Sequence, residues 1–246
     1  MIFYFTGTGN SLYAAQQLAA EGEQIISIID ALREKRFHYT LQDGEALGFV
    51  FPVYYYTVSD PVLELIRRLK VEGARYVYAV IPCGASIGPA GGFLRSELKK
   101  RGLELNRVDP LVVPDGALIF YDIDKPEKLD QQLEKAAEEL KTIREAIRQR
   151  LPNRITGSVA AAKAGLTAYH LSMSTKKYRA DESCIGCGRC ASICPAEAIR
   201  MENGRPVWIK DKCYKCCGCI NRCPAGAIQY GSRTAKRGRY VNPVLK

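Results

Sequence analysis

Apolar positions along the first 150 residues follow two alternating rhythms. Short, mostly apolar strand-like runs cover Ile2 to Phe5, Gln24 to Ile28, Ala46 to Phe51, Tyr76 to Ile81 and Val108 to Val113, as expected of strands buried on both faces. Between them, apolar residues recur every three or four positions over Asn10 to Ala20, Pro61 to Lys70 and Gly91 to Arg101, with a short helix near Asp30 to Lys35. A long helix from Lys125 to Arg150 places Leu129, Leu133, Ala136, Leu140, Ile143 and Ile147 on one stripe. That stripe could be a coiled-coil seam, but it is too short for one and reads better as a face packed on a sheet. Strands alternating with helices require right-handed crossovers between parallel strands, hence a doubly wound α/β sheet.

After Pro152 the alternation stops. A connector, residues 152–177, leads into a segment that repeats itself. A shift of 29 positions lays Cys184, Cys187, Cys190, Cys194 and Pro195 onto Cys213, Cys216, Cys219, Cys223 and Pro224. One supersecondary unit is therefore used twice, in a small α+β domain over residues 178–231, and a basic tail occupies residues 232–246. The α/β region is read as residues 1–151.

Charge separates the same two regions. Residues 1–150 hold 19 Lys+Arg against 21 Asp+Glu, whereas residues 151–246 hold 17 against 5. Basicity confined to the cysteine-rich half suits an acidic partner protein or nucleic acid, and it also offsets anionic thiolate clusters that formal charges ignore. No recognised nucleic-acid fold accompanies the tail SRTAKRGRYVNPVLK, which is read as solvated or as a guide for acidic redox partners. The chain opens on MIFYF without a basic leader, and residues 155–174 are too alanine-rich and interrupted to span a bilayer, so the expectation is a cytoplasmic protein.

Each cysteine run is C-x2-C-x2-C-x3-C-P, the spacing of cysteine-bound [4Fe–4S] clusters in which the fourth cysteine serves the other cluster. Cys184, Cys187, Cys190 and Cys223 should hold one cluster, and Cys213, Cys216, Cys219 and Cys194 the second. Zinc would leave the third cysteine of each run and both Cys-Pro steps unexplained. The surplus residue in CYKCCGC is Cys217, which falls on the non-ligand Gly188 under the shift. Asn203-Gly204 signals a type I′ hairpin between the runs, and Trp208 and Ile209 are expected to cover the clusters from water.

The first strand runs into F-T-G-T-G-N-S at a helix start, where a phosphate would meet hydroxyls and N–H groups. No lysine is present for a P-loop, and Leu12 stands where a dinucleotide fingerprint needs a small residue. The surviving pattern looks like the FMN phosphate loop of flavodoxins, and five strands is the flavodoxin-like size. In a 2-1-3-4-5 strand order, the loops after strands 1 and 3 flank one crevice. Pro52, Val53, Tyr54, Tyr55 and Tyr56 would then border a flavin ring, with Cys83, Gly84, Gly88 and Gly91 of the next loop beside it.

FYFTGTGNS, FPVYYYTVSDP, both cysteine runs and RGRYVNP together resemble the EFR-type ferredoxin family, a flavodoxin-like domain followed by a bacterial two-cluster ferredoxin domain. The resemblance implies FMN, two [4Fe–4S] clusters and electron transfer, largely in anaerobes. It also implies that Thr6, Thr8, Gly9, Asn10 and Ser11 bind the FMN phosphate. The expected function is an electron carrier that converts between one- and two-electron steps through FMN and the clusters. The alternative is a flavin-dependent reductase of a small molecule, for which the sequence offers no histidine acid.

Overall fold

The computed structural model describes residues 1–245 of the 246-residue chain. In chain order its elements are β1 (Ile2–Tyr4), α1 (Asn10–Leu18), β2 (Ile25–Ser27), α2 (Ile28–Arg33), β3 (His38–Thr40), β4 (Leu47–Val50), α3 (Asp60–Arg68), β5 (Lys70–Glu72), β6 (Val77–Cys83), α4 (Ala90–Lys99), β7 (Leu105–Val112) and α5 (Pro126–Arg148). There follow α6 (Val159–Ser172), β8 (Tyr178–Ala180), α7 (Arg189–Ser192), β9 (Ile199–Glu202), β10 (Arg205–Trp208), α8 (Gly218–Asn221) and β11 (Ile228–Tyr230). Two compact units result. One comprises residues 1–6, 10–113 and 130–169; the other comprises residues 7–9, 114–129 and 170–246.

The first unit is built on a five-stranded parallel sheet in the order β2-β1-β4-β6-β7, the flavodoxin-like order. All four residues of β4 and all seven of β6 are buried, which accounts for their continuous apolar sequences. The stripe of α5 packs on this sheet: Ala136, Leu140 and Ile143 share a core with Ile2, Val50, Tyr78 and Val80. Two features depart from the sequence pattern. The helix read through Lys70 stops at Arg68, because Lys70–Glu72 pairs in parallel with His38–Thr40 in a separate two-stranded ladder. The connector also contains a full helix, α6, whose alanine-rich sequence carries little amphipathic signal.

The second unit has short elements. Strands β9 and β10 form an antiparallel hairpin closed at Asn203 and Gly204, whose φ angles of 47° and 75° are those of the type I′ turn. Strands β8 and β11 pair antiparallel. The basic C-terminal segment is not a solvated tail. Thr234, Tyr240 and Asn242 are buried, Arg237 donates to the Leu118 carbonyl and pairs with Asp122, and Arg239 donates to the carbonyls of Gly226 and Ile228 and to Gln229 Oε1. These arginines stitch the unit together. No helix among the described residues is long and apolar enough to cross a membrane.

Candidate metal centre

Each cysteine run begins as a loop and closes on a single helical turn, α7 or α8, so three of its sulfurs turn inward while the fourth leaves with the Cys-Pro step. The result is two cavities in the second unit. One, of about 340 Å³ counting its open mouth, is lined by Cys194, Cys213, Cys216 and Cys219 together with Tyr178 and Trp208. The other, of about 300 Å³ on the same count, is lined by Cys184, Cys187, Cys190 and Cys223, with Met201, Pro206 and Ile228. The runs thus exchange their fourth cysteines. Cys217 lines neither cavity; it is buried, and its thiol donates to the Lys215 carbonyl.

The donor chemistry of both sets fits an iron–sulfur cluster. Ala198 N–H donates to Cys194 Sγ at 3.3 Å. Burial raises the thiol pKa of Cys190, Cys213 and Cys216, the last to about 12, and backbone N–H groups of Ala191, Lys215 and Gly218 respectively oppose the rise. Thiols in such surroundings favour the neutral form unless a metal takes the proton's place, and the N–H groups are already aimed at the resulting anions. Among the described residues, no three His, Cys, Asp or Glu converge on a single-ion site. Each cavity brings together four cysteines, the number that a thiolate-held cluster requires.

Apolar cover is uneven. Tyr178 and Trp208 stack at 5.5 Å with 6° between their planes on the cavity of Cys213. Ile209, expected as a second cover, is 45% exposed and does not serve. The cavity of Cys187 lies nearer solvent, with Cys187 itself exposed and Ile185 68% exposed.

The residues expected at the flavin are divided between the two units. In the second unit, Gly7 lies flush against the Cys216 carbonyl, Thr8 abuts Gly116, and Gly9 abuts Asn242 and Leu245. The Asn242 N–H donates to the Thr8 carbonyl at 2.8 Å. Gly7, Gly9, Asn10 and Ser11 are buried, and Thr6 and Thr8 are half-buried. In the first unit, Pro52 and Val53 are half-buried, and Val53 N–H bonds the Pro82 carbonyl. Tyr54 to Thr57 form a tight turn with Tyr55 and Tyr56 at φ 50° and 58°, conformations that bulky residues rarely adopt. The Tyr54 and Tyr55 rings pack on Tyr169 at 5.9 and 6.0 Å, and Gly165 of α6 touches the Tyr55 carbonyl. Tyr56 covers Gly88, Gly84 is exposed, Cys83 is buried at the end of β6, and Gly91 packs on Val108. The hydroxyls of Thr57 and Ser59 lack hydrogen-bond partners but are fully buried, Thr57 against α6. Gly7 and Gly9 are packed closely enough within the second unit that neither has room for a side chain. Tyr169 gave no signal in the sequence, because its role depends on where α6 lies.

Comparison with known proteins agrees on the cysteine region. Residues 183–228 match a family described as a 4Fe-4S dicluster domain. No curated protein matches the chain in sequence. Among solved structures, the Trp repressor binding protein from Bacillus subtilis is similar at 15% identity and a TM-score of 0.31, over 56% of this chain and 96% of that one. The dicluster match and the two cysteine-lined cavities together mark the second unit as a ferredoxin-type, 4Fe–4S-binding region of an α/β protein.

Proposed function

We propose that the protein is an electron carrier that holds two [4Fe–4S] clusters, one on Cys184, Cys187, Cys190 and Cys223 and one on Cys213, Cys216, Cys219 and Cys194. One observation carries this reading: two separate cavities, each lined by four cysteines with the fourth supplied by the other run. Bound there, the clusters supply reversible one-electron transfer. The chain's own residues do the rest. Backbone N–H groups at Ala198, Ala191 and Gly218 favour the anionic sulfurs, and the Tyr178–Trp208 stack keeps water from one centre. Exposed Cys187 and Ile185 present the other centre to a redox partner protein. FMN held by Thr6, Thr8, Gly9, Asn10 and Ser11, as the resemblance of the sequence implies, would add two-electron steps to this carrier.

Anaerobic purification from iron-supplied cells tests the reading. The expected result is a brown protein with iron and acid-labile sulfide for two four-iron clusters and FMN released on denaturation. Zinc in place of iron would overturn the cluster assignment. Absence of FMN would remove the flavin from the reading and leave the clusters.

A further inference from the structure

The two cysteine runs share a backbone but not a charge. In the first run, the third and fifth positions are Gly186 and Gly188, with φ of 68° and 72°. The 29-residue shift places Lys215 and Cys217 on them, and these keep the same left-handed conformation at φ 52° and 54°. Glycine adopts that conformation freely, whereas lysine is strained in it and needs surrounding structure to hold it there. The surroundings are specific. Lys215 is 5% exposed. Its ammonium donates to the Ser174 carbonyl at 2.7 Å and sits 4.0 Å from the Tyr230 ring centroid and 4.8 Å from that of Tyr178. A carbonyl and two aromatic faces hold the charge without neutralising it, since among the described residues no carboxylate pairs with it. Lys215 also lines the cavity of Cys194, Cys213, Cys216 and Cys219. The cation lining the other cavity is Arg189, which is exposed and therefore screened by solvent.

We propose that Lys215 is a positioning residue that sets the redox properties of the second centre alone, raising its reduction potential by placing a buried positive charge beside a cluster that becomes more negative on reduction. The inference rests on the two-cluster reading above. Reduction adds one electron and no metal or ligand changes hands, so a fixed cation favours the reduced form by electrostatics alone. The first centre has glycine, Gly186, at the equivalent position; the half-buried Arg239 near Cys223 is instead held by the carbonyls of Gly226 and Ile228 and by Gln229 Oε1 and does not line the cavity.

The experiment is a dithionite potentiometric titration of the anaerobic full-length protein, followed by low-temperature electron paramagnetic resonance, on the wild type and on Lys215→Gln, Lys215→Gly and Lys215→Arg. Iron and sulfide are counted first, so that failure of the two-cluster reading is visible before any potential is compared. Lys215→Gly restores the residue of the first run and relieves the backbone, which protects against misfolding. The uncharged variants should disfavour reduction of one centre by about tenfold or more, about 59 mV for one electron, with the other centre unmoved. Lys215→Arg should recover most of the shift, and perturbation of the same signal by Cys213→Ser assigns it to the second centre. Unchanged potentials with both clusters retained would overturn the proposal. Equal shifts at both centres, or loss of the second cluster in both uncharged variants, would also overturn it, by making Lys215 a strut.

Discussion

The α/β unit and the cysteine unit reach order by different routes. The first buries a conventional core, with Phe3, Phe49, Val80 and Leu94 fully inside, and its stability comes from apolar area removed from water. The second has helices of four residues and strands of three or four, and its core includes Cys190, Cys194 and Cys217 with Cys213, Cys219 and Cys223 packed against it. The thiols share that core with Leu118, Tyr178, Ile199, Ile220 and Ile228, and in small units of this kind metal binding contributes directly to folding.

The largest effect should come from removing iron. Anaerobic chelation is expected to abolish amide protection over residues 178–231 while β6 keeps slow exchange, as read by hydrogen exchange. Uniform loss of protection in both units would break the distinction. Next in size is Cys216→Ala, which should lose or convert one cluster, against Cys217→Ala, which should keep both and cost about 1 kcal/mol for a small buried group. Iron content and electron paramagnetic resonance decide, and loss of a cluster in the Cys217 variant alone would reverse the ligand assignment.

Within the α/β unit, Phe49→Ala should cost about 3–5 kcal/mol through the cavity it leaves, seen as a lower denaturant midpoint of the β6 exchange signal, with iron content unchanged. Gly7→Ala tests the boundary in sequence between the two routes. Its added methyl would meet the Cys216 carbonyl, so the expected outcome is a partial loss of the second cluster with the sheet intact. Iron content equal to wild type would mean that the close approach can relax without consequence.

Periodicity revealed the strands and helices of the sheet because each is specified locally: β6 is buried on both faces and reads as an unbroken apolar run. It missed the ladder of β3 and β5, whose three-residue strands carry polar residues and exist only by pairing. Thr6 to Ser11 carried a phosphate-loop pattern, yet nothing local could show that Gly7 would meet Cys216, 209 positions away. Arg237 and Arg239 read as solvated for the same reason, since their acceptors are carbonyls on other segments.

Spacing alone pointed to the 4Fe–4S chemistry that the dicluster match supports in the second unit. Thiolates at C-x2-C-x2-C-x3-C-P wrap an inorganic core through short-range backbone geometry, so both cysteine sets and the surplus Cys217 could be written down before any fold was known. Tertiary structure decided what packs on the loops after β1 and β4: within the first unit Tyr169 of α6 lies on Tyr54 and Tyr55, and within the second the Asn242 N–H donates to the Thr8 carbonyl. It also made Lys215 a buried cation, because only the folded chain brings Ser174, Tyr178 and Tyr230 around one ammonium.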